Sequence, residues 1–138
     1  MRILGLDVGD KKIGVSLSDP TLLIAQGLTL YRRGSLEEDL KEFKRIVKEH
    51  EVGEIVIGLP RDLSGNIGAR AKSVMGFADR VRESIDIPVN LWDERFSTNE
   101  AHRVFDMAEV RHKKRKPYLD IMASQIILQG YLDARSTR

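Results

Sequence analysis

The stretch Ile3-Leu4-Gly5-Leu6-Asp7-Val8-Gly9-Asp10-Lys11-Lys12-Ile13-Gly14-Val15-Ser16-Leu17-Ser18 holds two β-rich runs, Ile3 to Val8 and Ile13 to Ser18. Gly9 to Lys12 between them has the composition of a tight hairpin turn. The first run is apolar at consecutive positions, as in a strand buried on both faces, and Asp7 interrupts it. A carboxylate there costs free energy unless something compensates it.

Outward from this hairpin, a third run, Leu28 to Arg32, follows a loop containing Pro20 and Gly27. The period then changes. Ser35 to Glu38 forms a capping box ahead of Leu36, Leu40, Phe43 and Val47 at helical spacing, with Gly53 beyond the helix end. Glu54 to Gly58 reads as a fourth strand, stopped by Leu59-Pro60, and Asp62 to Gly68 as an exposed loop. Ala71, Val74, Met75, Ala78 and Val81 mark a second amphipathic helix. Ile87 to Glu94 is a fifth strand, and Ser97 to Glu100 caps a helix with Ala101, Val104, Phe105 and Ala108 on one face. Arg111 to Lys116 is a charged loop, and Pro117 suits the first turn of a last helix reaching about Ala134. The predicted order is β-β-β-α-β-α-β-α-α. Hairpin-length links make the first three strands antiparallel, and strands reached through helices run parallel to the first. The fold class is an α/β three-layer sandwich around a mixed five-stranded sheet, built as a single domain over residues 1–138.

Composition narrows the function classes. With 138 residues and 41% hydrophobic residues, the chain can bury a sizeable core. It has no cysteine, so disulfides, thiolate metal sites and cysteine nucleophiles are excluded, which fits a reducing cytoplasm. The first ten residues do not read as a signal peptide. The longest stretches free of Lys, Arg, Asp and Glu, Pro20 to Tyr31 and Ile121 to Leu132, are 12 residues each, against the roughly 18 that a membrane helix needs. His50, His102 and His112 are scattered, and no G-x-S-x-G, Walker A or G-x-G-x-x-G sequence occurs.

Acids at strand and helix ends are the remaining chemical signal. Asp93-Glu94 closes the fifth strand as Asp7 closes the first. The carboxyl ends of parallel strands share the sheet edge where α/β proteins place ligands. Side chains alternate along a strand, so only one of Asp93 and Glu94 can join Asp7. On the last helix, about 100° per residue turns Asp120 inward with Ala123, Ile127 and Tyr131, away from a polar stripe of Gln125, Gln129 and Asp133 expected to face water. The plainer alternatives are an Asp7 that accepts amides of the Gly9 turn, a solvated Asp93 paired with Arg95, and an Asp120 that stabilises its helix end through the dipole. Acids that converge would repel, by about 4 kcal/mol for two unit charges 4 Å apart at an effective dielectric of 20. A divalent cation reverses that sign, and carboxylates without His or Cys suit Mg²⁺ or Mn²⁺. Such a site acts on phosphodiesters. Arg111, Lys113, Lys114, Arg115 and Lys116, just before Asp120, could hold the phosphate backbone, although a charge run is more often a solvated loop. Arg32, Arg33, Arg61, Arg70 and Lys72 are further cations that the sequence does not assign to one face.

Four fragments together resemble the YqgF/RuvX family of bacterial RNase H-like proteins: Gly5-Leu6-Asp7-Val8-Gly9 with Ile13-Gly14-Val15 and Ser18-Asp19; Ile57-Gly58-Leu59-Pro60 with Gly65; Asp93-Glu94-Arg95-Phe96-Ser97-Thr98; and Asp120 to Asp133. The family is described both as Holliday junction resolvases and as nucleases maturing the 5′ end of pre-16S rRNA. The resemblance implies an RNase H-like fold with Asp7, Glu94 and Asp120 as catalytic, metal-holding acids, and so selects Glu94 over Asp93. It implies a metal-dependent endonuclease on pre-rRNA. Junction DNA and a non-catalytic nucleic-acid-binding module are the alternatives, and the state is a monomer or weak homodimer without membrane association. Lys12, Arg95 and the 111–116 cations are the expected nucleic-acid contacts. Lys12 stands where an Arg is usual, which weakens any bidentate phosphate contact there, and Ser124 replaces an Ala. RuvC-type relatives carry an acid at the end of the fourth strand; this chain has Gly58-Leu59-Pro60, so their specificity does not transfer. Asp7-x-Gly9 with Gly14 also matches the phosphate turn of sugar kinases and actin. Those bind ATP between two such domains, and this length supplies one.

Overall fold

The structure, a computed structural model, describes residues 1–60, 68–93 and 116–136, the last stretch with side chains from Leu119 onward. Its elements are β1 (Arg2–Val8), β2 (Lys12–Ser18), β3 (Ala25–Arg32), α1 (Leu36–Glu49), β4 (Val52–Leu59), α2 (Ala69–Ser84), β5 (Val89–Asp93) and α3 (Lys116–Ser136). The sheet order is β3-β2-β1-β4-β5, with β1 antiparallel to β2, β2 antiparallel to β3, and β4 parallel to both β1 and β5. This is the expected mixed sheet. The helix expected over 97–108 lies outside the described residues.

Alternation splits the sheet into two faces. Leu4, Leu6, Val8, Ile13, Val15, Leu17, Ile55, Ile57 and Leu59 point to the side where α1 and α2 bring Phe43, Ile46, Val74, Phe77, Ala78 and Val81. At roughly 1.5–3 kcal/mol per fully buried aliphatic or aromatic side chain, this cluster makes the larger burial contribution among the described residues. The opposite face is smaller: Ile3, Ala25 and Val56 receive Ile127, Leu128 and Leu132 of α3.

Three glycines let α3 lie directly on the strands. A Cβ at Gly5 would fall 2.8 Å from the Leu128 Cβ, one at Gly14 would overlap the Asp120 carbonyl oxygen, and one at Gly27 would press on the Ile121 side chain. Gly27 reaches that face through a bulge in β3: Val15 pairs with Thr29 but Ser16 pairs with Gly27, so Leu28 is extra and turns to the larger core. Ser16, fully buried, donates its hydroxyl to the Ser124 carbonyl at 2.9 Å, and the Ser124 hydroxyl donates to the Ile121 carbonyl at 2.7 Å.

Several sequence expectations are corrected. β3 starts at Ala25 instead of Leu28, because the bulge and Gly27 break the period that the sequence offers. β5 starts at Val89, after Pro88, and not at Ile87. The α1 capping box forms as expected, but Leu36 stays 39% exposed while Asp39 is fully buried. The Gln125/Gln129 stripe does not simply face water. Gln129 accepts from the Ala25 amide at 2.9 Å and donates to the Leu23 carbonyl at 3.0 Å, and Gln125 donates to the Ala25 carbonyl at 3.1 Å, so the stripe satisfies the start of an edge strand.

Candidate active site

Asp7 pairs directly across from Gly14, so its side chain projects on the α3 face at the carboxyl end of β1. α3 reaches the same place because Gly14 has no side chain, and this close approach carries Asp120 to the rim. Asp7, Gly9, Lys11, Lys12, Gly14, Leu30, Arg70 and Asp120 line one cleft of about 220 Å³. Asp7 and Asp120 therefore line the same cleft, although they are 113 positions apart in the chain.

Electrostatics in the cleft are opposed. Burial pushes the Asp7 carboxyl above the ordinary aspartate value, Arg70 pulls it down, and Asp120 pushes it up again. The Arg70 guanidinium lies 3.9 Å from the Asp7 carboxylate, with 62% of its side chain exposed against 20% for Asp7. The Gly9 amide donates to the Lys12 carbonyl at 2.8 Å and closes the β1–β2 turn. It is therefore not spent on Asp7, contrary to the plainer alternative for that acid. Asp120 also departs from its alternative: α3 begins at Lys116, so Asp120 is past the first turn, where the unpaired helix amides lie.

Asp93 pairs with Leu59, whose side chain belongs to the larger core, and so belongs to the face opposite Asp7. Glu94, Arg95, Arg111, Lys113, Lys114 and Arg115 lie outside the described residues, and Lys116 is the first residue of α3. Among the described residues no cluster of three His, Cys, Asp or Glu side chains forms. What the described cleft supplies is two carboxylates and three cations, Lys11, Lys12 and Arg70. Two carboxylates, of which Asp120 raises the proton affinity of Asp7, fit a hard divalent ion, which would relieve their repulsion.

Sequence reasoning missed Lys11 and gave Arg70 no position; only a charge next to a turn marked the first. It also missed Arg33 and Asp39. Asp39 is completely buried and accepts from Tyr31 Oη at 2.8 Å, Arg33 Nε at 3.0 Å and the Gly34 amide at 3.0 Å. In sequence both residues look like solvated charges on a loop and a helix start.

No described helix is long and apolar enough to cross a membrane. The chain is 46% identical over 134 residues to a Desulforamulus reducens protein named "Putative pre-16S rRNA nuclease", covering 97% of this chain and 98% of that one. A Carboxydothermus hydrogenoformans protein of the same name is 48% identical, with 99% of both covered. Among solved structures, RuvC of T. thermophilus in complex with Holliday junction substrate superposes with a TM-score of 0.66 at 12% identity, over 99% of this chain and 96% of that one. The fowlpox virus resolvase with Holliday junction DNA gives 0.60 at 12% identity, over 98% and 99%. At such identities these two establish the fold, an RNase H-like α/β sheet. The profile of the RuvX family, described as Holliday junction resolvase, matches residues 1–134, and the chain belongs to that family.

Proposed function

We propose that this chain is a divalent-metal-dependent endonuclease acting on structured nucleic acid, with the 5′ end of pre-16S rRNA as its substrate. The observation that carries the reading is the convergence of Asp7 and Asp120, from β1 and α3, in one cleft rimmed by Lys11, Lys12 and Arg70. Asp7 and Asp120 hold the ion, with Mg²⁺ or Mn²⁺ preferred by an all-carboxylate donor set. The ion, when bound, supplies Lewis-acid charge beside the scissile phosphate. Lys12, with Lys11 and Arg70, attracts and orients the phosphodiester. Glu94 is the third acid of this proposal; the resemblance selects it, and Asp93 belongs to the wrong face. Arg95, Arg111, Lys113, Lys114, Arg115 and Lys116 extend the contact along the backbone.

The rRNA substrate is carried over from the names of relatives near 46% identity. The family description favours a second reading, cleavage of a four-way DNA junction. Symmetric junction cleavage needs two active sites, whereas trimming an RNA end needs one, so a monomer in solution supports the RNA substrate. A pure binding module gains nothing from clustered carboxylates beside phosphate. The test is to incubate wild type and Asp7→Asn with precursor rRNA and with junction DNA in Mg²⁺ or Mn²⁺. Wild type should cut the rRNA and Asp7→Asn should not; equal residual cleavage by both proteins would defeat the proposal.

A further inference from the structure

The ion pair of half-buried Arg33 with fully buried Asp39, next to the cleft, has no place in the chemistry just described, and its contacts show what it does. Arg33 follows the last residue of β3. Its Nε donates to Asp39 at 3.0 Å, and its NH1 donates to the Gly9 carbonyl at 3.0 Å. Its own amide donates to the Lys11 carbonyl at 2.9 Å. One residue therefore grips both sides of the turn that leads from Asp7 to Lys12. The guanidinium carbon also sits 5.0 Å from the centre of the Phe77 ring in α2, the helix whose first turn carries Arg70. Phe43 of α1 packs edge-on against both Phe77 and Tyr31, and Tyr31 is itself bonded to Asp39.

We infer that Arg33 and Asp39 are positioning residues for the nuclease site: they fix the Gly9 turn, and with it the separation of Asp7 from Lys11 and Lys12, against α2. The inference rests on the proposed nuclease reading of the cleft. Three observations separate it from a role in stability alone. Asp39 is a fully buried charge, and taking a charge out of water is costly where apolar residues of similar volume often pack as stably. Asp39 has three donors converging on a carboxylate with no exposure, so the guanidinium is held in one orientation. And the charge of Arg33 is cancelled by Asp39, so the pair acts on the cleft through geometry and adds little to its field. A lysine cannot substitute, because one ammonium does not present the spread donors that reach a carboxylate and a carbonyl together.

The experiment uses the full chain with Mn²⁺ and precursor rRNA, comparing wild type, Arg33→Lys and the double variant Arg33→Met/Asp39→Asn. The double variant avoids an unpaired buried charge and keeps an acceptor for Tyr31 and Gly34. Its kcat should fall by between about ten-fold and a hundred-fold, as expected for misplaced reacting groups, with KM changed by less than about two-fold. The slope of log K against log salt should stay at the wild-type value, whereas Lys12→Gln should reduce it by about 0.7 to 0.9. Hydrogen exchange at the Gly9 amide should quicken, since the turn bond to the Lys12 carbonyl opens more often. Arg33→Lys should show the same pattern and serves as the deciding variant should the double variant not fold. Wild-type kcat in a folded variant would overturn the inference, as would lost kcat with unchanged Gly9 protection. Should wild type itself be inert, the nuclease reading is what falls. Gly9 exchange alone then decides the brace: unchanged protection overturns it, and faster exchange supports it.

Discussion

Asp7 holds its proton more tightly in the folded chain than an ordinary aspartate, chiefly through burial, with Asp120 adding to the effect and Arg70 opposing it. A raised carboxyl value means that the native state gives up this proton later than the unfolded chain does. The associated stability is fully present below the unfolded value of 3.8 and is lost as pH rises through the folded one. Asp7→Asn should therefore melt higher than wild type at neutral pH while cutting nothing, and the difference should vanish near about pH 3.5. Thermal unfolding at the two pH values checks it. Arg70→Gln removes the opposing cation, so the Asp7 carboxyl rises further. The acid limb of the pH–rate profile should then move to higher pH, and an unmoved limb would show that Arg70 does not act on Asp7 in solution. Asp19 illustrates the reverse case away from the cleft. The Thr21, Leu23 and Ile24 amides donate to it, and they hold its carboxyl well below the usual range.

Glycines separate two roles at the scale of elements. At Gly14 a methyl group would meet the Asp120 backbone, which cannot move without lifting α3. Gly14→Ala should destabilise the chain by about 1–3 kcal/mol, as overpacking does, and lower kcat along with it. Gly76, inside α2, has open space where an alanine methyl group would stand, with no neighbour within 4 Å, so Gly76→Ala should stabilise by about 0.5–1 kcal/mol with kcat unchanged. Denaturant titration of both variants distinguishes these outcomes. The sheet was legible in the sequence because hairpin-length links and intervening helices dictate strand direction. The β3 start was not, since a bulge shifts the period by one residue at Leu28. The α3 glutamines misled for a related reason: an edge strand needs partners for its backbone, and that need does not show in a helical wheel. Of the candidate site, Asp7 and Asp120 were legible from a carboxylate in an apolar strand and an inward acid, whereas Lys12 came only from the family resemblance. Arg33 and Asp39 were not, because a buried pair and two solvated charges have the same spelling.

Across the whole molecule, α1 and α2 cover one face of the sheet and, among the described residues, α3 covers the other. Among the described residues that second layer has few members, so Leu128, fully buried where α3 meets Gly5, carries much of it. Leu128→Ala should cost about 2–5 kcal/mol, and it should impair cleavage under conditions where the chain is still folded, because α3 holds Asp120. Comparing the activity loss with the fraction folded at each temperature tests that coupling.

The seating of the Asp120 carbonyl on Gly14 links two points far apart in synthesis. A ribosome releases the hairpin bearing Asp7 long before it releases α3, and until that helix docks Asp120 does not face Asp7 across the cleft. The emerging polypeptide thus carries one wall of the proposed ion site through most of its birth, and Asp120 joins it only when α3 docks.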